Sequence, residues 1–87
     1  MSTISVKLQN GSWASINEIA SVQHPISGRT ILIGKTKNDF VFAVHSNLSG
    51  EPFRGSFIGR EKMEEIKPLF DSNDFDSINE QKDELLS

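Results

Sequence analysis

Two apolar runs between Arg29 and His45 constrain this chain more than any other feature. Ile31, Leu32 and Ile33 are followed, across a polar connector from Gly34 to Asp39, by Phe40, Val41, Phe42, Ala43 and Val44. Short β-branched and aromatic runs separated by Gly, Asn and Asp read as a β-hairpin. A strand with one wet face alternates apolar and polar residues, whereas these strands are apolar on both faces. The reading points Leu32 and Phe42 toward one layer and Ile31, Ile33, Val41 and Ala43 toward another. Both faces therefore need cover. Either the sheet curls into a small barrel, or a helix covers one face and something else, a second copy of the chain included, covers the other.

Around this hairpin the pattern is of short strands followed by a helix. Ile4, Val6 and Leu8 alternate with Ser5 and Lys7, the period-two signature of a half-buried strand. Asn10-Gly11 predicts a hairpin turn, because both residues tolerate φ > 0. Trp13 to Ile16 then returns as a second strand, with a bend through Ile16, Ile19 and Val22 before pairing resumes from Ala20 to His24. His24-Pro25 and Ser27-Gly28 make the corner into the central hairpin. Residues 46–55 read as a loop and Ser56 to Ile58 as a short strand. From Gly59 the period changes: Met63, Ile66 and Phe70 form one helical stripe. Pro68 predicts a break near Lys67. Ser77 with Glu80 is a capping-box pattern, which starts a last short helix over Ile78 to Leu86.

These elements predict an α+β, β-rich fold. It is a small antiparallel sheet or partly closed barrel of four or five strands, with one C-terminal amphipathic helix and an acidic tail. Residues 1–70 are assigned to a single domain and 71–87 to an acidic extension, flexible or a short helix. The expected core comprises Val6, Leu8, Ile16, Ile19, Val22, Ile31, Ile33, Phe40, Phe42, Val44, Ile58, Met63 and Ile66.

Composition narrows the function classes. Eighty-seven residues are enough for one small domain. The absence of cysteine excludes a disulfide framework, thiolate metal sites and a cysteine nucleophile. The N-terminal residues lack the basic start and apolar run of a signal peptide, and no stretch approaches the roughly 18 apolar residues of a membrane span. The expected location is cytoplasmic. Charge is uneven: residues 1–60 carry a net +3 and residues 61–87 a net −6. A basic body with an acidic end is the build of a solvated helical tail, or of a nucleic-acid surface with a competing tail.

Catalytic chemistry is not written into the chain. His24 and His45 are the two histidines and neither sits in a metal-ligand spacing. They read as a turn residue and a strand-end residue. Gly50, Gly55 and Gly59 lack the phosphate-binding fingerprint, and Asp71, Asn73 and Asp76 lack the glycine and terminal glutamate of a calcium loop. No enzyme activity, cofactor or metal is expected.

The leading expectation is a non-catalytic protein–protein interaction module, a stoichiometric inhibitor or regulator of a partner protein. Phage- and plasmid-encoded inhibitors have this build. A homodimer is the homo-oligomer that would supply the second layer. The residues assigned to partner binding are Trp13, Phe53, Arg54, Asp71, Asp74 and Asp76, with Trp13 read as core or half-buried. The alternative is a small nucleic-acid-binding protein whose Lys35, Lys37, Arg54 and Arg60 meet phosphates beside aromatic faces. Finally, Lys7 to Gln23, KLQNGSWASINEIASVQ, resembles a strand, Asn-Gly turn and I-N-x-I-x-x-V stretch of flagellar FlbD-like proteins and LytTR-type DNA-binding domains. The basic DNA-contacting pattern of LytTR domains has no counterpart here, and no site is carried over.

Overall fold

The computed structural model describes residues 3–46 and 50–86. Five strands, β1 (Ile4–Leu8), β2 (Trp13–Gln23), β3 (Thr30–Lys35), β4 (Phe40–His45) and β5 (Phe53–Ile58), precede two helices, α1 (Arg60–Asp71) and α2 (Phe75–Leu86). Each strand pairs antiparallel with the next, and β5 returns to β1 to close a barrel. An odd number of alternating strands must close with one parallel pair, and β1 and β5 make it. The fold is a small β-rich α+β unit. Part of the loop expected over 46–55 falls at 47–49, outside the described residues; Phe53, Arg54 and Gly55 belong to β5 instead.

The two apolar faces of β3 and β4 receive two different covers. Val6, Leu8, Ile16, Leu32, Val41 and Ala43 cluster with contributions from Ile4, Ala14 and Phe53, so all five strands point into the barrel interior. Val22, Ile31, Ile33, Phe40, Phe42 and Ile58 form the second cluster on the outside, against Met63, Ile66 and Phe70 of α1 and Ile78 of α2. The barrel and the helices are therefore both present, one for each face. The expected grouping is corrected by register: Ile33 lies opposite Phe42 and Leu32 opposite Ala43. Directly opposed residues share a face, so Phe42 joins Ile31 and Ile33 while Leu32 joins Val41 and Ala43.

The long strand β2 serves both neighbours through a bulge. It pairs with β1 as far as Ile16 and with β3 from Asn17 onward, and its register shifts between Glu18 and Ala20. One extra residue flips the parity of everything after it. Ala14 and Ile16 accordingly face the interior, whereas Ala20 and Val22 face the helices. Ile19, expected in the core, is the residue left over at the shift and is exposed. The bend expected here is thus an irregularity within a continuous strand.

Local chemistry explains the turns and caps. The β1–β2 loop takes three residues, Gln9 to Gly11, closed by Leu8 N–H on the Ser12 carbonyl at 2.8 Å. Gly11 alone there has positive φ, at 89°. Asn10 contributes through its side chain, which accepts from Ser12 N–H at 3.0 Å, so the expected pair of left-handed residues is one. Pro68 does not break α1, which continues to Asp71. Phe70 is buried one residue beyond Leu69 and meets Phe42 edge-on at 6.4 Å, and that packing holds the last turn in place. Asn73, with φ 57°, ends the run in the left-handed conformation.

Beyond the amphipathic helix α1, the extension read as flexible or a short helix forms a second helix of 12 residues. Residues 75–86 lie on the barrel as α2, whose acidic side chains stand on an otherwise packed element. Ile78 is fully buried, and Phe75, Leu85 and Leu86 pack around the same cluster.

Candidate functional site

The helices cover β3, β4, the later part of β2 and the Ile58 end of β5, which leaves an exposed outer row of Arg54, Lys7 and Trp13. Register lines up its residues. Arg54 lies beside Lys7 across the parallel pair, and Lys7 lies opposite Trp13 across the antiparallel pair. All three are on the outside because Val6 and Leu8 point inward. Trp13 is 58% exposed, so the expectation that it is core or half-buried is corrected. It stands at the first position of β2 on the outward parity, where the bulge further along cannot bring it under the helices.

Beside this row the barrel meets the end of α2. On the other side of Arg54 lies Val44, which the helical layer half covers. The step between the two levels is a cleft of about 370 Å³ whose walls include Lys7, Leu8, Gln9, Val44, Arg54 and Leu86. Gln9 Nε2 donates to the Leu85 carbonyl at 3.5 Å and ties the helix end to the β1–β2 loop. Phe53, also assigned to partner binding, is half-buried at the rim of the interior with its ring 4.9 Å from that of His45. His45 Nε2 donates to the Glu51 carbonyl at 2.8 Å, which braces the strand end.

The remaining assigned residues separate into two places. Lys35 and Arg60 bracket the ring of Phe40, at 5.8 and 5.2 Å from its centroid, with Lys37 in the adjoining turn. Phe57, 50% exposed, lies at the same end of the barrel, one residue before Ile58, the partner of Phe40. Arg54 does not join them: it is four residues back along β5, roughly 13 Å at strand rise. The four cations of the nucleic-acid reading therefore do not form one patch.

The three aspartates lie at the junction of the helices, away from the Trp13 row. Asp71 pairs with Lys67 at 3.4 Å. Asp74 caps α2: its carboxylate accepts from Ser77 N–H at 3.3 Å and from Ser77 Oγ at 2.8 Å. The helix therefore begins at Phe75, three residues before the start expected from Ser77 and Glu80, because Asp caps as well as Ser. Asp76 follows in the first turn beside a small cleft with His24, Arg29 and Asn79. The role of Asp74 is structural. Asp74→Ala is expected to cost about 1 kcal/mol in denaturant unfolding.

Sequence reading missed one exposed anchor. Ile26 is 90% exposed at the tip of the β2–β3 turn. The turn is tightly held: His24 Nδ1 accepts from Ile26 N–H and Ser27 N–H at 3.3 and 3.1 Å, and Gly28 N–H donates to the His24 carbonyl at 2.9 Å. The His24 ring in turn packs on Phe75 of α2 at 4.6 Å. An isoleucine in a Pro-Ile-Ser-Gly turn was the available signal.

The molecule is thus a five-stranded meander barrel with a helical layer on one side and an aromatic-cationic row on the other. Compared with protein-family models, curated proteins and solved structures, the chain gives no match. Among the described residues no helix is long and apolar enough to cross a membrane.

Proposed function

We propose that this chain is a non-catalytic protein–protein interaction module that binds a partner protein stoichiometrically, as an inhibitor or regulator does. The observation that carries the reading is Trp13, held 58% exposed on a strand and in register with Lys7 and Arg54. The two core clusters are complete without it. A large aromatic on a rigid element, in one row with a lysine and then an arginine, is the composition of an interface anchor, since Trp and Arg dominate binding hot spots. Ile26, presented on its hydrogen-bonded turn, supplies a second anchor with little conformational entropy left to lose on binding.

The second reading, nucleic-acid binding, is favoured by Phe57 standing at the same end of the barrel as Lys35, Lys37 and Arg60. One experiment separates the two: affinity capture from a native lysate, with and without nuclease, using the full chain. The full chain is required because removing residues 71–87 would take Ile78 out of the core. Trp13→Ala is expected to weaken a nuclease-resistant partner at least about tenfold and to leave the thermal midpoint nearly unchanged. Retention that survives Trp13→Ala but vanishes with nuclease, or with Lys35→Ala plus Lys37→Ala, would transfer the function to the basic end.

A further inference from the structure

Lys7 and Arg54 are neighbours across the β1–β5 pair, and like charges in that position repel. Among the described residues neither has an ion-pair partner; the ion pairs there join Lys62 to Glu65, Lys67 to Asp71 and Lys82 to Asp83. Both line the cleft at the end of α2, whose other walls include the apolar Leu8, Val44, Pro52 and Leu86. A carboxylate placed between the two cations would relieve their repulsion and accept charge-assisted hydrogen bonds, while an adjacent apolar side chain would find cover in the cleft. Glu51 also lines the cleft, and α2 directs the negative end of its dipole toward this side. These limit how much negative charge the cleft tolerates. One or two carboxylates fit that balance; a run of phosphates does not.

We propose that the cleft bounded by Lys7, Arg54 and Leu86 is a recognition site for an extended peptide segment in which a carboxylate side chain alternates with apolar ones. This rests on the interaction reading and names the chemistry of its partner. Trp13, opposite Lys7 on the neighbouring strand and the one tryptophan of the chain, stands next to the site and serves as a reporter on it.

The test is an amide NMR titration of the full chain with a terminally blocked Leu-Asp-Leu-Asp-Leu peptide and its Leu-Asn-Leu-Asn-Leu counterpart. The expected result is saturable shifts at Lys7, Arg54, Leu86 and the Trp13 indole, with the Asn peptide about tenfold weaker. Lys7→Glu combined with Arg54→Glu should erase that preference. Lys7→Gln, which keeps most of the side-chain stem, replaces the double variant where charge reversal lowers the thermal midpoint. Equal response to the two peptides, no shift at about 5 mM peptide, or shifts centred on Lys35 and Arg60 would overturn the site. So would an oligothymidylate that shifts the same residues at lower concentration, because it would make the ligand a nucleic acid. A captured partner that is lost with Trp13→Ala yet kept with Lys7→Glu/Arg54→Glu would overturn this proposal and leave the interaction module standing.

Discussion

Replacing Ile78 with alanine is expected to cost about 3 kcal/mol, within the range for deleting buried branched side chains. Ile78 is fully buried and belongs to the cluster that joins the outer faces of β3 and β4 to both helices. Its removal leaves a cavity against residues that the barrel holds in place, so the site cannot collapse to fill it. For a domain of this size the thermal midpoint should fall by roughly 12–24 °C. Thermal unfolding followed by circular dichroism measures this. A fall under about 5 °C would mean that α2 contributes little to the folded body. Deletion of residues 71–87 should be worse than the point variant, because it also removes Phe75, Leu85 and Leu86, which pack against the same cluster.

Gly55→Ala should destabilise by about 3 kcal/mol, at the upper end of the usual cost of overpacking. A Cβ at this position would stand 2.6 Å from the Phe42 carbonyl oxygen, 2.7 Å from Val6 Cγ1 and 3.1 Å from Val41 Cγ1. A side chain can rotate away from such a contact; a carbonyl in a ladder cannot. Gly55 is moreover paired with Ala43 on one side and Leu8 on the other, at the seam where the barrel closes. Displacing it strains both ladders. Gly34→Ala is the useful comparison, since the nearest atoms its Cβ would meet belong to the Ile16 side chain and not to backbone. The smaller loss is expected there. Equal stability of the Gly55 variant and the parent in urea would mean that the barrel interior is looser than this packing implies.

The residues legible in advance were those whose environment follows from local pattern. Met63, Ile66 and Phe70 recur at helical spacing and are buried on one stripe. Val6 and Leu8 alternate with exposed neighbours and point inward. Ile19 was misplaced because a bulge inserts a residue that no period-two or period-three count contains. The second helix was half legible: its length was limited by choosing Ser77 over Asp74 as the cap, two residue types with the same capping chemistry. The candidate site was legible only as separate pieces. Trp13 and Arg54 stood out by type, but Lys7 did not, since a lysine on the wet side of an alternating strand has no distinguishing mark.

The sequence by itself determined that the central hairpin must be covered on both faces, because Ile31 to Ile33 and Phe40 to Val44 offer no polar side to water. It also determined where the strands give way to helix, through the change of period after Gly59. Tertiary structure decided which face each residue takes, because register depends on the partner strand rather than on the strand's own residues. It decided, too, that Lys7 and Arg54 meet. They lie far apart in the chain, and only the parallel closure of β1 on β5 sets the two charges side by side next to Trp13.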